Sequence, residues 1–223
     1  NRAGRWRNGG VIVAVDGPAA SGKGTLARRI AAHFGLAYLD TGKIYRAVGL
    51  RVLRDRGDPD DLAAALAAAR KLDPAALDDP ALGGDDAASA ASRVAAMGPV
   101  RDALLAFQQD FAAAPPGGAS GAVLDGRDIG TVVCPGAGIK LFVVADIAVR
   151  AGRRHKELLD RGKPSIYSRV LQELTDRDDR DRNRSAAPLI AARDAIALDT
   201  SAMTPDEVFD AALNIIQSRI AGS

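Results

Sequence analysis

The chain has 223 residues, enough for one large domain or a core with an insert, and 47% of them are hydrophobic, which allows a sizeable core. With 30 basic and 28 acidic side chains the net charge is +2, which indicates mixed surfaces rather than a nucleic-acid-binding tail. No apolar run approaches the ~20 residues of a membrane helix, and one cysteine with two histidines excludes an intrachain disulfide and argues against a zinc site, so we expect a cytoplasmic protein with no membrane or nucleic-acid partner.

The first predicted elements are a strand, a glycine-rich loop and a helix in direct succession. Residues 11–15 are apolar, as in a buried parallel strand, and residues 26–34 have the spacing of a helix with one apolar face. In this context the loop predicts a phosphate site, because its N–H groups and the helix N-terminus attract an anion. The alternative is a glycine-rich turn with a solvated lysine. The predicted ATP-binding residues are Gly17, Pro18, Ala19, Ala20, Ser21, Gly22, Lys23, Gly24 and Thr25.

A second strand is predicted at residues 36–39, and a helix follows it. Thr41 can cap this helix, with Asp40 just ahead of it suited to the positive helix end. Arg46, in the first half of the helix, is by itself compatible with an ordinary surface arginine.

The composition changes over residues 59–96, where alanine dominates and aspartate and proline interrupt the pattern. Short helices are predicted over residues 60–71 and 87–97, with loop and turn between them. Because this stretch is weakly apolar, we expect an insert, residues 59–98, that buries little and is mobile.

Three more strands are predicted at residues 122–124, 139–145 and 195–199, alternating with helices. Five such strands indicate an α/β protein with a five-stranded parallel sheet covered by helices on both faces, and with the phosphate loop they indicate the P-loop NTPase fold. Ligands of such sheets bind at the carboxyl ends of the strands. The predicted organisation is one domain over residues 10–223, with the insert and a lid at 152–166, after a disordered lead-in, residues 1–9.

Arginine and aspartate alternate over residues 177–184. On a helix, Arg177, Asp181 and Arg184 share one face, where carboxylates can hold guanidinium groups as a rigid anion receptor. The alternative is a solvated helix with local salt bridges. The phosphate loop favours the receptor, because a kinase needs cations around the migrating phosphoryl group.

These motifs, together with residues 40–46 (Asp-Thr-Gly-Lys-Ile-Tyr-Arg) and 125–133 (Asp-Gly-Arg-Asp-Ile-Gly-Thr-Val-Val), follow one another in a specific order. With them the chain resembles the bacterial cytidylate (CMP) kinases of the nucleoside monophosphate kinase family, from about residue 11 to the C-terminus. The resemblance implies transfer of the γ-phosphoryl group of ATP to CMP or dCMP, with Mg²⁺ as cofactor, and we expect a monomer.

The resemblance also implies roles for particular residues. Thr41, Arg46, Arg127 and Arg184 would hold the acceptor phosphate. Ser92, Arg101 and Asp128 would recognise the cytosine, and Arg177 and Asp181 the sugar hydroxyls. The predicted CMP-binding residues are Thr41, Tyr45, Arg46, Ser92, Arg101, Arg127, Asp128, Arg177, Asp181 and Arg184; the predicted catalytic residues are Lys23, Arg127, Arg153, Arg177 and Arg184; and Thr25 is the predicted Mg²⁺ ligand.

The chain departs from the family pattern in two places. Lys43 stands where a small residue is expected, and it could contact a phosphate or point to solvent. The insert is short and proline-broken, although the family's insert usually contains several strands. Two other functions stay open at this point: another small P-loop kinase, acting on UMP, AMP or a small alcohol, and a non-catalytic nucleotide-binding regulator, which the intact arginine set disfavours.

Overall fold

The protein is described by a computed structural model over residues 10–221, with side chains to residue 219, so the predicted lead-in, residues 1–9, lies outside the described residues. Within this range the strands are β1 (Val11–Asp16), β2 (Ala37–Asp40), β3 (Gly121–Gly126), β4 (Ile139–Val144) and β5 (Ile196–Asp199). All five are parallel and form one sheet in the order β2-β3-β1-β4-β5. This confirms the predicted α/β architecture.

Helices cover both faces of the sheet. Successive residues of a strand point to opposite faces, and accordingly Val13 packs in an apolar cluster with Ile30 and Ile216, while Ala14 packs in another with Ile44 and Leu104. A π-helical turn at Ile129–Val133 follows β3. The α-helices of the described chain are α1 (Lys23–Phe34), α2 (Thr41–Arg54), α3 (Leu62–Arg70), α4 (Asp85–Val94), α5 (Gly98–Ala113), α6 (Ile147–Asp160), α7 (Tyr167–Asn183) and α8 (Pro205–Ala221). None of these helices is long and apolar enough to cross a membrane.

The insert is packed more firmly than its composition predicts. Ala69 and Val94 are buried in the same apolar cluster as Ile44 of α2. A Cβ atom at Gly49 would lie 2.7 Å from the Cβ of Ala90, so α2 and α4 are in close contact. The expectation that this stretch buries little is therefore wrong, because small alanine side chains let helices approach closely. The mobility and bounds of the insert and of the lid, residues 152–166, stay predictions.

The stretch expected to be loop, residues 73–84, contains two short 3₁₀ helices, Pro74–Asp78 and Pro80–Gly83. Each begins with proline, and the aspartate before it accepts a hydrogen bond from the backbone two residues on. These caps order the segment between α3 and α4.

Candidate active site

The phosphate loop, residues 17–25, leaves β1 at the carboxyl edge of the sheet and enters α1. Gly17 has a φ of 151°, and a Cβ atom there would lie 2.0 Å from the carbonyl oxygen of Val143, so only glycine fits. Gly22 and Ala20 also have positive φ values, 89° and 59°. This strained path is typical of loops that wrap around a ligand.

Two hydrogen bonds from the rest of the protein support the loop. Thr200 Oγ1, just after β5, donates to the carbonyl oxygen of Ser21 at 3.0 Å. Arg150 Nη1, on α6, donates to that of Ala19 at 3.2 Å. Arg150 also makes a buried, bidentate ion pair with Asp178 of α7, at 3.2 and 2.6 Å. Arg150 thus links the loop to the arginine-rich helix α7. The sequence did not indicate this link, because Ala19, Arg150 and Asp178 are far apart in the chain.

Lys23, in the first turn of α1, lies 3.4 Å from Oδ1 of Asp125 at the end of β3. Burial and the nearby charge of Arg127 lower the pKa of Lys23 to about 8. A Cβ atom at Gly24 would lie 3.0 Å from Asp125 Oδ2. The glycine after the lysine therefore lets the helix start approach this carboxylate, and the hydroxyl comes one residue later, on the exposed Thr25. Sequence analysis gave Asp125 no individual role.

The arginines predicted to form an anion receptor lie near Asp181, on α7, at its C-cap and just after β3. Arg127 Nε donates to Oδ2 of Asp181 at 2.9 Å, and Arg184 Nη1 lies 3.8 Å from the other carboxylate oxygen. Burial lowers the pKa of Arg177 to about 10, helped by the positive charge of Arg127. Burial raises the pKa of Asp181, but these cations outweigh it and the net shift is downward. One carboxylate therefore faces several largely buried cations. The prediction that Arg184 lies on the helix is wrong, because α7 ends at Asn183 and Arg184 is its C-cap residue with an extended backbone.

Buried polar atoms without a hydrogen-bond partner are concentrated at this site. Three of them are guanidinium nitrogens, and a buried donor left unpaired is costly, so they are suited to an anionic ligand. Among the described residues, these atoms are Ser21 Oγ, Arg46 Nε, Asp125 Oδ1, Arg177 Nε and Arg184 Nη2.

A pocket close to these arginines is lined by residues of α2 and α5. Arg101 Nη2 donates to Asp128 Oδ2 at 2.5 Å in a buried ion pair, and the Arg101 guanidinium lies 5.1 Å from the ring centre of Tyr45. These three side chains line one pocket together with Gln108. The pocket offers an aromatic ring, a carboxylate, a guanidinium and an amide, which suits a polar planar ligand.

Two residues predicted to bind CMP, Thr41 and Ser92, make hydrogen bonds within the protein that the sequence did not indicate. Thr41 Oγ1 donates to the carbonyl oxygen of Asp125 at 2.8 Å, while Asp40, not Thr41, caps α2 by accepting from Lys43 N. Ser92 Oγ accepts from Arg180 Nε at 3.1 Å. Ser92 therefore joins α4 of the insert to α7.

Other basic residues lie away from the arginine receptor. Arg153, predicted as catalytic, donates to the side chain and carbonyl oxygen of Thr200, at 3.0 and 2.5 Å, and its Nη1 would lie 4.0 Å from a Cβ atom at Gly22 of the phosphate loop. Arg154 pairs with Asp85 of the insert. Lys43 Nζ donates to the carbonyl oxygen of Leu77 at 3.2 Å, so it contacts the insert.

Within residues 10–221 no group of three or more histidine, cysteine or acidic side chains could hold a metal ion by itself. An ion that is held mainly by substrate phosphates needs fewer protein ligands. Asp125 Oδ1 is buried, faces Lys23 Nζ at 3.4 Å and accepts no hydrogen bond among the described residues. This oxygen and the exposed Thr25 hydroxyl are ligands of the kind that such an ion takes.

The phosphate loop, its lysine and the opposed arginine receptor define a P-loop protein of the small-kinase type. The sequence profile described as cytidylate kinase matches residues 13–218. The cytidylate kinase of Paramagnetospirillum magneticum is 58% identical over 93% of this chain and 98% of its own length, and that of Rhodospirillum rubrum is 57% identical over 92% and 97%. The chain belongs to the cytidylate kinase family.

The fold has a distant structural relative as well. The crystal structure of an uncharacterized protein from Eubacterium ventriosum superposes with a TM-score of 0.55, at 12% identity, covering 93% of this chain and 99% of that one. At this identity the likeness concerns the fold alone.

Proposed function

We propose that the protein transfers the γ-phosphoryl group of ATP to CMP or dCMP, giving ADP and the cytidine diphosphate. The observation that carries this proposal is the set of unpaired guanidinium nitrogens on Arg46, Arg177 and Arg184, in a cluster whose Arg177 lies close enough to Lys23 of the phosphate loop to act on its charge. A site with one anion receptor at each end suits two phosphorylated substrates. Membership of the cytidylate kinase family supports the choice of acceptor.

The chemistry needs alignment more than a dedicated base. The attacking oxygen belongs to a phosphate that is largely ionised at pH 7, so no side chain has to remove a proton. Lys23 and the loop N–H groups would bind the donor phosphates, while Arg46, Arg127 and Arg184 would hold the acceptor phosphate together with Thr41. Arg177 and Arg184 would stabilise the charge that develops on the transferred group. Closure of the lid would exclude water, with Arg153 as its candidate cation.

Mg²⁺ fits the donor end of the site. Thr25 and Asp125 are the residues that would hold the ion, together with phosphate oxygens. When bound, Mg²⁺ would neutralise charge on the donor phosphates. Lys23, which pairs with Asp125 in the structure, would bind the donor phosphates.

The base end of the site favours cytosine. The amino group of cytosine is a donor that suits the Asp128 carboxylate, and its ring nitrogen and carbonyl oxygen are acceptors that suit Arg101. Tyr45 and Ser92 complete the proposed base site, and Asp181 is placed to accept a sugar hydroxyl. The monomeric state and the cytoplasmic location stay predictions.

A substrate panel tests this function. ADP release would be measured with ATP, Mg²⁺ and each of CMP, dCMP, UMP, AMP and shikimate. We expect the highest kcat/KM with CMP or dCMP. Faster turnover of UMP, AMP or shikimate would favour another small kinase, and ATP binding without turnover of any acceptor would favour a regulator.

A further inference from the structure

We propose that Asp16 is a positioning residue of the acceptor site, which holds the turn after Arg127 and Asp128 by accepting two of its backbone N–H groups. The inference rests on the proposed function, because Arg127 and Asp128 are the residues assigned to the acceptor phosphate and the base. Asp16 would then connect the two ends of the site, since it is followed directly by the phosphate loop.

The geometry of the contact is specific. Asp16 is the last residue of β1 and is 5% exposed. Its Oδ1 accepts the N–H of Ile129 and its Oδ2 that of Gly130, both at 2.8 Å. These are the first two residues of the π-helical turn, and Asp128, at the N-cap, makes no side-chain cap bond. A helix start leaves N–H groups without an intrahelical partner, so a carboxylate from another strand supplies the cap here.

The surroundings leave the Asp16 carboxylate to these two N–H groups. Lys140 of β4 packs against the same turn, where a Cβ atom at Gly130 would lie 3.1 Å from its Cδ, but its Nζ donates to Pro135 and Asp194. Burial raises the pKa of Asp16 to about 6, with smaller contributions from the charges of Asp128 and Asp125, while the two N–H bonds oppose the rise. The carboxyl group is therefore mostly ionised at neutral pH.

The contact bears on base recognition because the Asp128 side chain is committed to Arg101 and its direction depends on the backbone of the turn. Without Asp16 the turn would lose two bonds and the Asp128–Arg101 pair would shift. The donor loop has separate supports: Gly17 packs against Val143, and the Ser21 carbonyl is held by Thr200. The effects of Asp16 on the two substrates should therefore differ.

The test compares Asp16→Asn and Asp16→Ala with Glu207→Gln as a matched control. Asparagine keeps one acceptor oxygen but turns an N–H₂ group toward a backbone N–H, whereas alanine removes both acceptors. Glu207 also accepts two hydrogen bonds at a helix start, from Thr204 N and Oγ1 at 2.8 and 2.9 Å, but it lies on α8, outside the site. The KM values for CMP and ATP, kcat, and the preference for CMP over UMP would be measured for each.

We expect Asp16→Asn to raise the KM for CMP by about tenfold and to weaken the preference over UMP, with the KM for ATP within about twofold of the parent. Asp16→Ala should have a larger effect in the same direction, and Glu207→Gln none. If circular dichroism shows that the alanine variant is unfolded, the KM values of the asparagine variant test the inference. An equal rise in both KM values, or an unchanged KM for CMP, would overturn the inference. A parent protein that phosphorylates no CMP would overturn the proposed function and this inference together.

Discussion

Replacement of Asp178 by asparagine tests whether the link between the phosphate loop and α7 stabilises the protein. Asp178 and Arg150 have side chains that are 5% and 3% exposed, and they form two hydrogen bonds. Removal of one charge leaves the other buried and incompletely paired, which typically costs about 3–5 kcal/mol. Because the amide can still accept one hydrogen bond, we expect the lower end of that range, a loss of about 3 kcal/mol in the free energy of unfolding.

Urea denaturation at pH 7.5 would measure this loss, with Asp179→Asn as the control. Asp179 is the next residue of α7 and is exposed, so its replacement should change the free energy of unfolding by less than about 0.5 kcal/mol. If the free energy of unfolding depends on urea concentration with the same slope in the parent and both variants, the shift in the unfolding midpoint reflects a change in stability. If Asp178→Asn is no less stable than Asp179→Asn, the buried pair does not hold the loop to α7.

Three further predictions concern individual charges. Arg184→Ala should lower kcat by about a hundredfold, because it removes a buried cation from the acceptor phosphate. The control Lys156→Ala, on the exposed side of α6, should leave kcat unchanged. Near-normal ADP release by Arg184→Ala would contradict the anion receptor. ATP binding should take up a proton at pH 8.5, because Lys23 has a pKa of about 8 in the free protein and the phosphates favour its charged form, so affinity should fall as the pH rises above 8. Calorimetry in two buffers of different ionisation enthalpy would detect the uptake, and Lys23→Arg should abolish it. The raised pKa of Asp16, about 6 against 3.8 for the unfolded chain, means that the native state binds the extra proton between pH 4 and 6, so this group lowers stability by about 3 kcal/mol as the pH rises through that window. Urea denaturation at both pH values should show this step in the parent and not in Asp16→Asn, and equal pH dependence in the two would contradict it.

The local elements of the fold could be predicted from the sequence. Central strands such as residues 11–15 are continuous apolar runs, and the strand–loop–helix order marks the phosphate loop. The spacing of Arg177 and Asp181 places both on one helix, but it does not show that the helix ends before Arg184. The packing of the alanine-rich insert was predicted wrongly. A residue such as Ala69 is compatible with a tightly packed helix pair and with a loosely packed lobe, and the residues that face it determine which of the two forms.

The positioning contacts of the site could not be predicted in the same way. The bonds from Ile129 to Asp16 and from Arg150 to Ala19 join residues 113 and 131 positions apart. No local pattern marks such partners, because an aspartate at a strand end and an arginine inside a helix also occur without them. Asp125 was predictable only in part. The sequence shows its position near a strand end, but its contact with Lys23 depends on the register of β1 and β3.

The electrostatics of the site explain why both substrates should stabilise the protein. Burial is the largest cause of the lowered pKa of Lys23 and of Arg177. The charge of Arg127 lowers both pKa values further and Arg46 lowers that of Arg177, so these cations repel one another. Asp181 offsets only part of the repulsion, since one carboxylate faces several guanidinium groups. A phosphate bound among them removes the remainder and pairs their free N–H groups. Because the unfolded chain has no such cluster, the relief belongs to the native state alone, and substrate binding and resistance to unfolding should rise together.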